Sequence, residues 1–303
     1  MTPTTLTTRT SSWRAVGAAL ALSTCLQHAG AQDAPTLRAR HAALRDALAD
    51  SPFKRPLVLE SVQNEGDLKG DVYSVVAQPY GVVAPSLQGM AHWCDMLIVH
   101  LNVKHCQPQG SGANSVLTLA VGRKFDQPIA DAYKVAFAYR VASSSADFLR
   151  IQLLADEGPL GTKDYRIVLE AIPLDAKSSF IHMSYSYGQG MAARIAMQGY
   201  LGTLGRDKVG FSVVGRQPDG APIYVGNVRG LIERNTMRYY LAIESFLGAT
   251  SAPPAEQGEQ RMRDWYAATE RYARQLHEMD RDAYLTMKRA EVARQNASAA
   301  EPK

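Results

Sequence analysis

Tyr133-Lys134-Val135-Ala136-Phe137-Ala138-Tyr139-Arg140-Val141 alternates large apolar residues with small or charged ones. Only an extended strand sorts a period of two onto opposite faces. The pattern recurs downstream. Leu149, Ile151 and Leu153 alternate with Arg150 and Gln152; Tyr165, Ile167 and Leu169 with Arg166 and Glu170; Ile181, Met183, Tyr185 and Tyr187 with His182, Ser184 and Ser186. Val116–Val121 precedes the series, and Leu57–Gln63 and Asp71–Ala77 add two strands across Gly66 and Gly70. The links are too short for parallel crossovers, so the sheet is antiparallel, with one apolar and one wet face.

An apolar face needs a cover. Val225, Val228, Ile232, Tyr239, Ile243 and Phe246 recur at helical spacing and predict a long helix over 225–247. Shorter helices are expected at Leu37–Leu48, in two pieces between Pro79 and Leu97 around Pro85 and Gly89, and at Met191–Leu204, the last followed by a strand at Val209–Val214. Residues 249–258 read as an Ala/Ser/Pro linker. Beyond them Met262, Trp265, Tyr272, Leu276, Met279 and Met287 predict one amphipathic helix whose stripe docks on the domain or on a second copy. The expected organisation is therefore 1–31 signal, 32–56 helical segment, 57–248 main domain, 249–258 linker and 259–303 helical tail. The fold class is α+β: a curved antiparallel sheet gripping a long C-terminal helix.

Residues 1–31 have the zones of a cleavable secretory signal: Arg9 and Arg14, an apolar run Ala15–Leu26, then Ala29-Gly30-Ala31. Export to the periplasm is the expectation, with lipid anchoring at Cys25 as a lesser alternative. Losing this segment lowers the formal charge from +4 to +2, which gives no reason to expect nucleic acid. The mature chain keeps Cys94 and Cys106. Either they form a disulfide, which demands a chain reversal near Leu101-Asn102, or they are separate buried thiols beside a straight strand.

The order of elements resembles the START-like or Bet v 1-like (SRPBCC, helix-grip) superfamily. Val72-Tyr73-Ser74-Val75-Val76-Ala77-Gln78-Pro79-Tyr80-Gly81-Val82-Val83, on to Leu87 and Trp93, looks like that family's first strand and paired helices. Gly220-Ala221-Pro222 resembles the entry to its closing helix, and the match spans roughly residues 68 to 248. Trp93–Cys106 also looks like a segment of uncharacterised exported proteobacterial proteins. The resemblance implies a deep apolar cavity that holds a lipid or other hydrophobic small molecule.

Tyr133, Tyr139, Tyr165, Tyr185 and Tyr187 share the predicted apolar face with Phe137 and Met183. Several hydroxyls on an inner face suit an amphipathic ligand, and core or rim tyrosines bonded to backbone are the alternative. Tyr239 belongs to the helix stripe, and Asn235 and Arg238 flank it, where they would meet a ligand carboxylate or head group or join a surface or structural ion-pair network. His92, His100 and His105 lack a spacing that converges on a metal. Gly188-x-Gly190-x-x-Ala193 lacks the parallel unit of a dinucleotide site. No catalytic set and no cofactor are expected. The leading function is a binder or carrier of a lipid or hydrophobic molecule, with transient membrane contact or self-association through the tail as further partners. The alternatives are an enzyme of the same fold (cyclase, dehydratase or hydrolase type) and an envelope scaffold.

Overall fold

The alternating segments form one eight-stranded antiparallel sheet. The computed structural model describes residues 33–190, 199 and 207–300, with Met1 and Thr2, so the expected signal and the helix at 191–204 fall almost wholly outside the described residues. Asp33–Lys303 is one compact unit. Its strands are β1 (Leu57–Gln63), β2 (Asp67–Val76), β3 (Val103–Gln109), β4 (Val116–Val121), β5 (Tyr133–Ser144), β6 (Leu149–Glu157), β7 (Thr162–Pro173) and β8 (Ser179–Gln189). They lie in the order β1-β2-β8-β7-β6-β5-β4-β3. Register shifts in the β3–β4, β5–β6 and β7–β8 pairs bend the sheet, as bulges do.

Two short helices, α3 (Tyr80–Leu87) and α4 (Met90–Leu97), join β2 to β3. The Trp93 indole fastens them by donating to Leu87 O at 2.7 Å. Between α4 and β3 the chain reverses through His100 N to Leu97 O and Val103 N to His100 O. The reversal brings Cys94 and Cys106 into a disulfide with Cα atoms 5.2 Å apart. Replacing both cysteines by alanine is expected to cost about 3 kcal/mol, the loop-closure value for so short a span. The check is the urea midpoint against the oxidised protein; an unchanged midpoint would mean that the turn holds itself.

The long helix α5 (Asn227–Gly248) follows a small hairpin, β9 (Val213–Arg216) with β10 (Pro222–Tyr224). It crosses β2 where Gly70 leaves room, since a Cβ there would stand 2.2 Å from the Thr236 hydroxyl. The expected one-sided stripe understates its burial. Ile232, Ile243 and Phe246 are buried, but so are Met237, Tyr240 and Leu241, because the tail covers the remaining sides.

That tail differs from the single helix after a linker that periodicity predicts. A 3₁₀ turn (Ala249–Ser251) leads directly into α6 (Pro254–Glu270), then α7 (Ala273–Leu276) and α8 (Arg281–Ala300). Pro254 opens α6, where its missing N–H costs nothing. The breaks at Tyr272 and His277, both with non-helical backbone, turn α8 back along β3. Its side chains then occupy the strand's free edge: Gln295 Oε1 accepts from Cys106 N at 2.9 Å and Lys288 Nζ donates to Val103 O at 2.8 Å.

The sheet's outer face corrects the expectation of a wet surface. Helices α1 (Ala34–Ala43) and α2 (Arg45–Ala49) lay Leu37, Leu44 and Leu48 against Tyr73, Phe148, Ile172 and Phe180, forming a second small core. Asp33 caps α1 by accepting from Thr36 N at 2.9 Å. Under this cover Glu170 is 0% exposed and His182 is buried, although both alternate with the apolar positions of their strands.

Candidate ligand site between the sheet and the long helix

The inner face carries a cluster of aromatic rings under α5. Tyr165 stacks on Tyr187 at 5.2 Å, Tyr185 lies 5.7 Å from Tyr187 and 5.0 Å from Tyr239, and Phe137 meets Tyr165 edge-on at 6.3 Å. Period-two spacing sets Tyr185 and Tyr187 on one face of β8, and the antiparallel register places Tyr185 opposite Ile167 on β7. Tyr239 comes down from α5 with His100 stacked on its other side at 4.6 Å. Burial pushes the hydroxyl pKa values of Tyr185, Tyr187 and Tyr239 up, so all three stay neutral donors near pH 7.

Five of the expected site residues, Phe137, Tyr165, Tyr185, Tyr187 and Tyr239, therefore meet, and Met183 is buried on the same face one step along β8. Tyr139 lies apart. It packs against Trp93 at 6.5 Å, and its hydroxyl donates to Gln88 O at 2.6 Å. Tyr133 is a correction: at the open start of β5 it is 51% exposed and lies outside the buried cluster. Asn235 is half-buried. Arg238 is buried, and its guanidinium reaches the tail, at 2.7 Å from Glu278 and 3.3 Å from Leu276 O.

A cleft of about 140 Å³ opens beside the cluster, at the turn between β1 and β2. Its walls are Gln63, Asn64, Glu65 and Gly66 of the turn, Leu68 of β2, Gln189 at the end of β8, and Val228 at the start of α5. Leu68 pairs with Tyr187 in the sheet, so the cleft's apolar floor continues into the tyrosines. The Gln189 side-chain amide is in hydrogen-bond contact with the Tyr187 hydroxyl. Beside the cleft, Glu233 of α5 accepts from Ser61 Oγ at 2.5 Å, Ser212 Oγ at 2.7 Å, Phe211 N at 2.6 Å and Ser212 N at 2.9 Å. These bonds tie β1, the 211–212 loop and α5 into one wall. Of the cleft residues, Val228 belongs to the helical stripe and Gln63 ends a predicted strand, but nothing in the sequence besides the Gly66 turn signals that they meet.

A second cavity, about 10 Å³ and lined by Leu101, Trp265 and Glu278 among others, has room for one water. The histidines stay apart in role: His92 Nδ1 bonds Ser86 O, whereas the ring of His100 packs between Tyr239 and Trp265. On the outer face His182 bonds Asp71 and Glu170, each at 2.8 Å, and its ring stacks on Tyr73 at 4.4 Å. Both of its nitrogens are thus engaged.

A sheet of this order, preceded by paired helices after its first long strand and closed by a long helix, is the helix-grip fold shared by START-like and Bet v 1-like proteins. No family model and no curated protein matches the chain. Among solved structures it is similar to norcoclaurine synthase from Thalictrum flavum, in complex with dopamine and hydroxybenzaldehyde. That match has 16% identity and TM-score 0.32 and covers 49% of this chain and 82% of that one. It is also similar to a START superfamily protein from Mycobacterium smegmatis (12% identity, TM-score 0.31, covering 50% and 92%). The Zhui aromatase/cyclase from Streptomyces sp. R1128 matches at 12% identity and TM-score 0.30, covering 78% and 96%. At these values the likeness says nothing of ligand or chemistry.

Proposed function

We propose that the protein binds a hydrophobic small molecule whose ring or acyl end enters the cleft and packs toward the tyrosine cluster. The observation that carries this reading is the cleft itself, apolar at Leu68 and Val228, amide-rich at Gln63, Asn64 and Gln189, and continuous with buried aromatic rings. Its volume of about 140 Å³ takes one ring or a short chain segment, since sites for drug-sized ligands run from about 300 Å³. The Gln189 side-chain amide beside the Tyr187 hydroxyl places polar groups near the buried end, where a carbonyl or hydroxyl oxygen of the ligand would fit. The Cys94–Cys106 disulfide and the composition of the first 31 residues support a carrier that works in the periplasm.

The test is native mass spectrometry of the purified protein, combined with thermal shift against a panel of fatty acids and simple aromatic alcohols. A co-purifying small molecule or a saturable shift is expected. Val228→Trp, which fills the cleft from a partly exposed helix start, should weaken binding at least tenfold and leave the unfolding midpoint unchanged. A protein that carries nothing and shifts with no member of the panel sinks the reading.

A further inference from the structure

The two edges of the eight-stranded sheet are treated differently. At the β3 edge, α8 meets the backbone with Gln295 and Lys288. At the β1 edge no such cover exists among the described residues. Asn64 and Asp67 exchange backbone bonds, so the pairs two, four and six residues on, Val62–Lys69, Glu60–Asp71 and Val58–Tyr73, also face β2 with their N–H and C=O groups. Leu57, Leu59, Ser61 and Gln63 must then point theirs outward. Leu57 is accounted for locally: its O accepts from Ser51 Oγ at 2.5 Å and its N donates to Arg55 O at 2.7 Å. The outward groups of Leu59, Ser61 and Gln63 have no partner among the described residues.

An open edge is ordinarily blunted by proline, a bulge, an inward charge or a covering element. Among the described residues β1 has none of these from Leu59 to Gln63. Its only charge, Glu60, is bonded by Arg40, and Val62 is 49% exposed. We infer that this edge pairs with the same edge of a second copy, antiparallel about a two-fold axis at Ser61, joining two sheets into one.

The register follows from the three unpaired residues. Centred on Ser61, the pairing sets Ser61 against its own copy and Leu59 against Gln63 in both directions, so every outward donor and acceptor of these residues finds a partner with none left over. The set amounts to about six backbone bonds. The same register places Glu60 opposite Val62 of the other copy, which keeps like charges off direct cross-strand positions. Arg229, whose Nε donates to Ser61 Oγ at 2.8 Å, approaches its counterpart near the axis; its own Glu233, 3.9 Å away, offsets that approach. Self-association would thus use the β1 edge, since the tail's apolar stripe is already spent on its own chain.

Sedimentation equilibrium of the purified protein near 100 μM, with amide hydrogen exchange at Leu59, Ser61 and Gln63, tests this. A dimer is expected, with these three amides protected more strongly as concentration rises. Gln63→Pro removes an outward N–H without touching the bonds to β2, a place where an edge strand tolerates proline. It should weaken the dimer at least tenfold with the monomer's unfolding midpoint unchanged. A monomer at that concentration overturns the inference. So does a dimer that survives Gln63→Pro with those amides still exchanging freely, or protection of the amides only when a different polypeptide is added.

Discussion

Replacing His182 by leucine is expected to cost about 3–5 kcal/mol, the range for breaking a buried charge pair by removing one member. The imidazole sits between two carboxylates, with Nε2 on Asp71 and Nδ1 on Glu170. Arg150 reaches the far oxygen of Glu170 at 3.0 Å and Lys69 that of Asp71 at 2.9 Å. Arg40, lying 4.7 Å over the Tyr73 ring and bonded to Glu60, closes the cluster from α1. Leucine would leave both carboxylates short of a donor in a nearly dry layer. Burial alone would push the His182 pKa down; the bonds and charges of Asp71 and Glu170 outweigh it and hold the value above the usual 6.5.

A histidine bound more tightly to its proton in the fold contributes stability that is complete below pH 6.5 and is lost as pH rises through its raised value. Asp71 is opposite: burial would raise it, but His182 and Lys69 bring it below 3.8, so its contribution is present above that pH and is lost as the pH falls through the lowered value. Stability from this cluster should therefore plateau between about pH 4 and 6.5. Urea midpoints measured from pH 4 to 9 should decline above neutrality in the parent protein and stay flatter in His182→Leu. Parallel profiles would refute the assignment.

Truncation after Asp280 should have a larger effect. It removes Tyr284, Leu285 and Met287 from the core, each worth about 1.5–3 kcal/mol when buried. It also strips Lys104, fully buried, of Glu291 at 3.0 Å, and uncovers the β3 edge. Trp265 loses the Tyr284 ring stacked on it at 5.2 Å. Together these exceed about 5 kcal/mol, comparable with the whole stability of many domains. The truncated protein is expected to aggregate, or to fail to give a cooperative urea transition, as judged by light scattering and circular dichroism. A soluble, cooperatively folded monomer would instead mark α8 as an appendage.

The sheet, its inner tyrosine face and the long helix were legible because each rests on local periodicity. Tyr133-x-Val135-x-Phe137-x-Tyr139 declares its inner face within seven residues, even though Tyr133 itself lies past the cover. The chain reversal was legible as one of two outcomes, the one that a Cys94–Cys106 disulfide demands. What periodicity hides is compensation between distant residues. Asp71, Glu170 and His182 look solvated because each alone is polar, and their burial depends on partners on three strands. Arg238 similarly finds Glu278 forty residues away. The tail's breaks at Tyr272 and His277 carry no Gly or Pro to mark them, so 259–303 looks continuous. The cleft is assembled from three separate stretches, and no local signal tells that they meet.

The seam between β2 and β8 has a kinetic side. Asp71 and His182 are 111 residues apart, because β3 through β7 lie between β2 and β8 along the chain although the two strands are neighbours in the sheet. Pairings this distant slow folding, because the entropy of the loop must be lost before the contact returns anything. A one-residue slip while the seam zips would turn His182 onto the tyrosine face and bring Met183 out toward α1. The three charges thus act as a proofreading mark, penalising every registration of the closing strands except the native one.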